Sequence, residues 1–372
     1  MSGVYIHIPF CKKKCPYCDF YSSTKDYSHL FYVEALKREI VLRSRSAGSY
    51  IGSVYFGGGT PSLLGPELIS QIIEKIREAF KVDNEAEITI ECNPDDLSLN
   101  YLQNLKAVGI NRISLGTQSF NDNELKLLGR RHSVSANHNA LGMVFSCGFE
   151  NVSIDLIYGL PGSSVDTIKK SISEALKYPV KHISAYHLTF EQNTRFYSLL
   201  KQGVLKELSE DESKEQYDML VETLSNKGFE QYEISNFAKE KMYSRHNSIY
   251  WKGMPYIGVG ASAHSFDGNT REWNVADVKE YIASLNNRII PSEKEILTED
   301  NKYNEYILTG LRTKWGINKK EILEKFGKQT LENIQTTAQK YIESGDMAEN
   351  RGNYILTRKG FFIADYITSD LM

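Results

Sequence analysis

The stretch Val4-Tyr5-Ile6-His7-Ile8-Pro9-Phe10-Cys11-Lys12-Lys13-Lys14-Cys15-Pro16-Tyr17-Cys18-Asp19-Phe20 decides how this chain is read. Alternating apolar residues over Val4–Ile8 predict a strand, and Pro9 ends it. Three cysteines with C-x₃-C-x₂-C spacing follow in the loop. Five cysteines is an odd total for 372 residues. Three of them crowd into one short loop, which is not a disulfide framework and suits metal ligation in a reducing compartment. Thiolates bind zinc and iron–sulfur clusters alike. A structural zinc site needs four protein ligands, and the candidates for a fourth, Cys92 and Cys147, lie far along the chain. Three thiolates on a [4Fe–4S] cubane leave one iron open. That iron can chelate the amino and carboxylate groups of S-adenosylmethionine (SAM), and an electron into the S–C5′ bond releases a 5′-deoxyadenosyl radical. Cys11, Cys15 and Cys18 are therefore the expected cluster ligands.

Outward from this loop, strand-like and helix-like segments alternate. Strands are expected at Val4–Ile8, Ser53–Phe56, Glu87–Glu91, Arg112–Leu115, Val152–Ile157 and His182–Leu188. Helical patterns lie between them. The clearest is Pro66–Phe80, where Leu68, Ile69, Ile72, Ile73 and Ile76 recur at helical spacing behind Pro66. Ser98 and Ser133 read as N-caps, with Gly109 and Gly148 near the matching ends. Asp26–Ser44, Ser163–Tyr178 and Asp211–Lys227 complete the set. Six βα units in series imply an α/β fold with a parallel sheet, and six is too few for a closed eight-fold barrel. The expected fold is an incomplete (β/α)6 TIM-type barrel, with a doubly wound open sheet as the alternative.

The pattern loosens after Tyr232, and Ser244–Phe266 is rich in Gly, His and aromatics. Helical patterns at Tyr303–Lys314, Lys319–Phe326 and Gln329–Ser344 precede strand-like flanks around Glu349–Asn353. That order predicts a small winged-helix-like module. The expected division is residues 1–230 for the barrel, 231–298 for an extension and linker, and 299–372 for the module.

In parallel βα proteins the loops after the strands gather on one face, where sites form. The unusual residues fall in these loops: Gly57-Gly58-Gly59-Thr60-Pro61, Glu91-Cys92-Asn93-Pro94, Gly116-Thr117-Gln118-Ser119-Phe120 and Asp155–Gly162. Glycines at strand ends suggest a ligand approached by backbone. Glu91, Gln118, Arg130 and Asp155 offer a ribose-binding carboxylate and a carboxylate-binding guanidinium. The net charge of −3 argues against a broad nucleic-acid-binding surface. No apolar run reaches the ~18 residues of a spanning helix. The cytoplasm is the expected location.

Together these segments resemble the radical SAM superfamily, and within it the coproporphyrinogen III oxidase-like branch. The resemblance covers nearly the whole chain. Besides the triplet it rests on Asn111–Gly116, Gln118-Ser119-Phe120, Gly129-Arg130-Arg131-His132, Tyr232–Phe237 and His246-Asn247-Ser248-Ile249-Tyr250-Trp251. It implies SAM contacts at Tyr5, Tyr17, Gly58, Gly59, Thr60, Glu91, Gln118, Arg130 and Asp155. Two features turn the expectation from the oxidases to the heme chaperones of the branch. Phe20 stands where the oxidases carry a further cysteine, and the first strand starts close to Met1, where the oxidases have an N-terminal extension. The segment His246–Trp251 is similar to a chaperone signature whose histidine is proposed to ligate heme, so His246 is the expected heme ligand and His264 the second candidate. The resemblance further implies heme delivery to heme-requiring membrane enzymes, and dimerisation of cluster-bound protein. Oxidative decarboxylation of coproporphyrinogen and radical methyl transfer are the rival activities.

Overall fold

The computed structural model describes residues 2–44 and 50–372. Six strands lie side by side in chain order, all parallel: β1 (Ser2–Ile8), β2 (Tyr50–Gly58), β3 (Lys81–Cys92), β4 (Arg112–Gln118), β5 (Asn151–Tyr158) and β6 (His182–His187). Their buried runs are nearly continuous, as expected for parallel strands covered on both faces. The crossovers are α1 (His29–Ser44), α2 (Pro66–Ala79), α3 (Leu99–Ala107), the pair α4 (Asp122–Leu127) and α5 (Val134–Ser146), and α6 (Val165–Ala175). They pack in a row, α1 on α2, α2 on α3 and α3 on α5. The apolar stripe of α2 is buried through Ile69, Ile72, Ile73 and Ile76. Ser98 and Ser133 cap their helices, each accepting a backbone N–H three residues on, and Gly109 and Gly148 adopt positive φ just beyond the ends.

Beyond β6 come α7 (Arg195–Lys201) and α8 (Glu210–Asn226). The hairpin β7 (Glu230–Glu233) and β8 (Asn236–Ala238) then pairs antiparallel on β6. The chain returns through α9 (Arg245–Trp251) to the opposite edge, where β9 (Tyr256–Val259) pairs parallel with β1. β10 (His264–Phe266), β11 (Thr270–Asn274), α10 (Val278–Asn286) and β12 (Ser292–Ile296) follow, the strands antiparallel. Among the described residues the sheet thus has twelve strands, with β12 and β7 at its edges, and does not close. This is the incomplete barrel that the sequence predicts. One difference is β9, a seventh parallel strand. Four residues bounded by Gly253 and Gly260 carry too little periodicity to be read, and the pairing is with a partner some 250 residues away in sequence.

The last segment is α11 (Glu299–Leu311), β13 (Ile317–Asn318), α12 (Lys319–Phe326), α13 (Lys328–Glu343), the hairpin β14 (Met347–Asn350) and β15 (Asn353–Leu356), α14 (Arg358–Phe362) and α15 (Ala364–Leu371). The three strands pair in the order β13-β15-β14. Arg351 and Gly352 both take positive φ at the two-residue hairpin turn. Helices, hairpin and helix follow in the expected winged-helix-like order. The module is tied back to the barrel. Arg312 pairs with the buried carboxylate of Glu233 at 3.1 Å, the Ile234 N–H donates to the Arg312 carbonyl, and Arg358 donates to the Asp218 carbonyl at 2.6 Å. No helix among the described residues is long and apolar enough to cross a membrane.

Candidate functional site

The C-terminal ends of the parallel strands open into a cavity of about 1250 Å³. Tyr17, Gly58, Gly59, Thr60, Glu91, Gln118, Arg130 and Asp155 all line it, together with Cys11, Cys15 and Cys18. Residues spread over the first 155 positions are thus brought together as the strand-end argument predicts.

The cysteine loop is pinned at its base. Cys11 N–H donates to Ser23 O, Ser23 N–H to Pro9 O, and Cys18 N–H to Cys15 O across the turn. Cys11 Sγ lies 3.5 Å from Thr60 Oγ1, and Arg130 Nη1 lies 3.5 Å from Cys15 Sγ. Burial pushes the Cys11 and Cys18 thiols up, so their thiolates need a cationic centre beside them. Among the described residues no three His, Cys, Asp or Glu side chains converge on a single-ion position. Cys92 is buried with its Sγ toward Ile90 O, and Cys147 sits at the C-terminal end of α5, so neither supplies the fourth ligand of a zinc site. A cubane distributes its thiolates over separate irons, and three thiols on one cavity wall fit that demand.

The glycines have a use the sequence did not reveal. Gly58 has φ +111°, and a Cβ there would meet the His7 ring at 2.6 Å; one on Gly59 would meet Phe10 O at 2.8 Å. They let β2 close against the end of β1, which holds the cysteine loop over the strand ends. Gln118 is a non-glycine residue at φ +62°, placed at a register shift of β4. Such strain is kept where the surroundings fix it, and it clusters at functional sites.

Two carboxylates face the cavity from below. Glu91 accepts from Tyr55 OH at 2.8 Å and from Gly58 N–H at 3.3 Å, and burial pushes its pKa up to about 7. Asp155 is pushed up to about 6, again chiefly by burial, with Ser114 Oγ 3.4 Å away. Opposite them the Arg130 guanidinium donates to Asn93 Oδ1 and to Gly116 O, while its buried Nε has no protein partner. A site with carboxylates tuned to neutrality on one side and an unsatisfied guanidinium N–H on the other fits a zwitterionic ligand with hydroxyls, which is the chemistry of SAM.

Two predicted residues lie elsewhere. Tyr5 is not on the cavity wall. Its OH lies 3.1 Å from His7 Nδ1, and its ring groups with those of Tyr55 and His246, which stack on each other at 5.1 Å. His246 is 1% exposed at the barrel floor. Its Nδ1 meets Ser53 Oγ at 2.9 Å, its Nε2 meets Tyr250 OH at 2.9 Å, and its backbone N–H donates to Glu87. Burial and the nearby Arg112 hold its pKa down to about 3, so it is neutral. With both ring nitrogens satisfied, this imidazole serves packing and hydrogen bonding in the conformation seen, and offers iron no lone pair. The two aromatics of the same motif also work locally. Tyr250 bonds His246, and Trp251 lies under the Arg312 guanidinium at 5.3 Å. His264 is exposed on strand β10, stacked on Trp273. Sequence reasoning missed Tyr186 and His187, which end β6 and face the cavity, and Phe362 and Tyr366, which wall it from the C-terminal helices. The run after Ile183 carries a legible signal, a polar-aromatic pair at a strand end. The other two residues had none, because only tertiary packing brings them there.

A parallel partial barrel with a three-cysteine loop after its first strand defines a radical SAM protein, and the profile of the Radical SAM superfamily matches residues 5–175. The HemN C-terminal domain profile matches 297–363. The heme chaperone HemW of Bacillus subtilis (strain 168) is 34% identical over 99% of this chain and 98% of its own length. HemW of Mycobacterium tuberculosis (strain ATCC 25618 / H37Rv) is 32% identical over 100% of this chain and 94% of its own. The solved structure of coproporphyrinogen III oxidase (HemN) from Escherichia coli superposes with a TM-score of 0.83 over 99% of this chain and 89% of that one, at 23% identity, a likeness of fold. The chain belongs to the HemW family.

Proposed function

We propose that this protein binds heme and hands it to heme-requiring apoproteins, membrane enzymes among them, with a [4Fe–4S] cluster on Cys11, Cys15 and Cys18 and SAM in the adjoining cradle. The cavity carries this reading. At about 1250 Å³ it exceeds the ~300–1,000 Å³ of a single-ligand pocket, so a second occupant has room beside SAM. When bound, the cluster and SAM supply an open iron and one-electron chemistry at a sulfonium. The chain's own residues do the rest. Arg130 takes the carboxylate end, Glu91 and Asp155 accept from amino and hydroxyl groups, and Tyr17, packed near Phe196, closes one side. Being radical SAM in fold does not require turnover, and the family name of the relatives favours transfer of heme over its synthesis.

The second reading is oxidative decarboxylation of coproporphyrinogen, favoured by the likeness to HemN. Against it stands Phe20, 69% exposed at the cavity mouth, where the oxidases place a cysteine. Radical methyl transfer gains no separate support from the geometry. The deciding experiment incubates heme-loaded, cluster-reconstituted protein with membrane vesicles holding a heme-free respiratory oxidase, and in parallel assays protoporphyrinogen formation anaerobically. The proposal expects heme in the oxidase and no protoporphyrinogen. Protoporphyrinogen formation without heme transfer overturns it.

A further inference from the structure

Asn93, the first residue beyond β3, lines the same cavity as the cysteine loop. Its side chain joins two groups that meet the cysteines. Asn93 Nδ2 donates to Thr60 Oγ1 at 3.3 Å, and Thr60 Oγ1 lies 3.5 Å from Cys11 Sγ. Asn93 Oδ1 accepts from Arg130 Nη2, and Arg130 Nη1 donates to Cys15 Sγ at 3.5 Å. One chain of hydrogen bonds thus runs from Cys11 through Thr60, Asn93 and Arg130 to Cys15. Resting on the cluster reading above, we propose that Asn93 is a positioning residue for the cluster, aiming one hydrogen-bond donor at each of two cluster thiolates.

The amide gives this chain its direction. A guanidinium has donors and no acceptor, so the end of the Asn93 amide that faces Arg130 is the oxygen, and the end that faces Thr60 is the nitrogen. Thr60 Oγ1 already accepts from Asn93, and its own proton can turn to Cys11. Once Cys11 is a thiolate on iron, only the hydroxyl can donate across that contact. On the other side, Asn93 Oδ1 and Gly116 O hold Arg130 Nη2 while Nη1 points at Cys15. The Arg130 Nε keeps no protein partner, so the bracing leaves a donor for a ligand carboxylate.

Asn93 is itself held. Its backbone N–H donates to Ser62 Oγ at 3.2 Å, and Ser62 Oγ donates to Asp96 Oδ2 at 3.2 Å. Pro94 opens the 3₁₀ turn that carries Asp96. Lys12 Nζ, from the residue next to Cys11, reaches the same Asp96 carboxylate at 2.8 Å. The amide therefore sits in a frame shared with the cysteine loop.

Hydrogen bonds to the sulfurs and nearby charge set how readily a cluster takes an electron. Both donors favour the reduced, more negative state. A carboxylate of the same shape at position 93 would compete with Cys11 for the Thr60 proton and place a negative charge beside Arg130.

The test is an anaerobic redox titration of cluster-reconstituted protein without SAM, followed by electron paramagnetic resonance. Asn93→Asp is expected to hold a full cluster and to be harder to reduce by roughly tenfold or more in the equilibrium, about 59 mV for one electron. Asn93→Ala should move the potential the same way without adding a charge. Thr60→Val should do so too, and Thr60→Ser, which keeps the hydroxyl, should stay at the wild-type value. A role confined to loop packing would lower Tm or cluster content and would not follow the hydroxyl. A wild-type potential in whichever Asn93 variant holds a full cluster overturns the inference, and the cluster reading stands. Loss of the cluster from both Asn93 variants also overturns it, because the residue then serves assembly. If wild type takes up no cluster, the cluster reading itself falls.

Discussion

Glu91 shows how one side chain links folding to ligand binding. Burial raises its folded pKa to about 7, above the ordinary 4.5. The native state therefore keeps a proton through a window in which the unfolded chain has lost it. Stability is highest below the unfolded value and falls as pH rises from about 4.5 to 7, the sign for a raised carboxyl. Asp155, raised to about 6, acts in the same direction. Two outcomes follow for the protein without SAM. Thermal denaturation should show falling stability between pH 5 and 8, and Glu91→Gln should flatten that slope. A cationic or hydroxylic ligand offsets the cost, so SAM binding should strengthen over the same range and release protons, measurable by calorimetry in two buffers of different ionisation enthalpy. Glu91→Gln should weaken SAM at pH 7.5 by roughly tenfold or more, the scale of a lost charge-assisted hydrogen bond. At this scale the sequence was most informative where residues sit at strand ends. Glu91, Gln118, Arg130 and Asp155 could be placed because a parallel sheet gathers its C-terminal loops. The surroundings of His246 were not legible, because its motif names a residue type and nothing in His246–Trp251 reveals that Ser53 and Tyr250 meet both ring nitrogens.

Among the elements, β1 to β6 and their helices were legible because each is long and periodic. Their predicted cores survive; β3 begins earlier, at Lys81 and not Glu87, while α1 and α6 are shorter than expected, starting at His29 and Val165. The short strands β7 to β12 were not legible, because three to five residues carry no period and their pairing is decided by distant partners. The joint between barrel and C-terminal module includes an ion pair with Glu233, whose side chain is 1% exposed against 28% for Arg312. Arg312→Ala leaves that buried carboxylate without its cation. Because Arg312 is partly exposed, the expected loss is about 2 kcal/mol, below the ~3–5 kcal/mol of a fully buried pair. It should appear as a fall of about 2–3 °C in Tm. Limited proteolysis should also cut more readily before α11, and restoring the charge with Arg312→Lys should recover part of both.

Taken whole, the molecule places one deep cavity between a barrel mouth and a helical module, with cluster-type thiols at one end and aromatics at the other. The strand-end placement of the cysteine loop, Glu91 and Asp155 and the order of elements in the module were legible in the sequence. The aromatic end was not, because Tyr186, His187, Tyr217, Phe362 and Tyr366 come from four separate elements that only the folded chain brings together. The central claim is that this single cavity serves SAM and heme at the same time. Its most direct test is a heme titration of cluster-reconstituted protein with and without saturating SAM, carried out anaerobically. One heme per chain is expected in both conditions, with SAM still bound at the end of the titration. Displacement of SAM by heme, or no heme uptake in either condition, would contradict it.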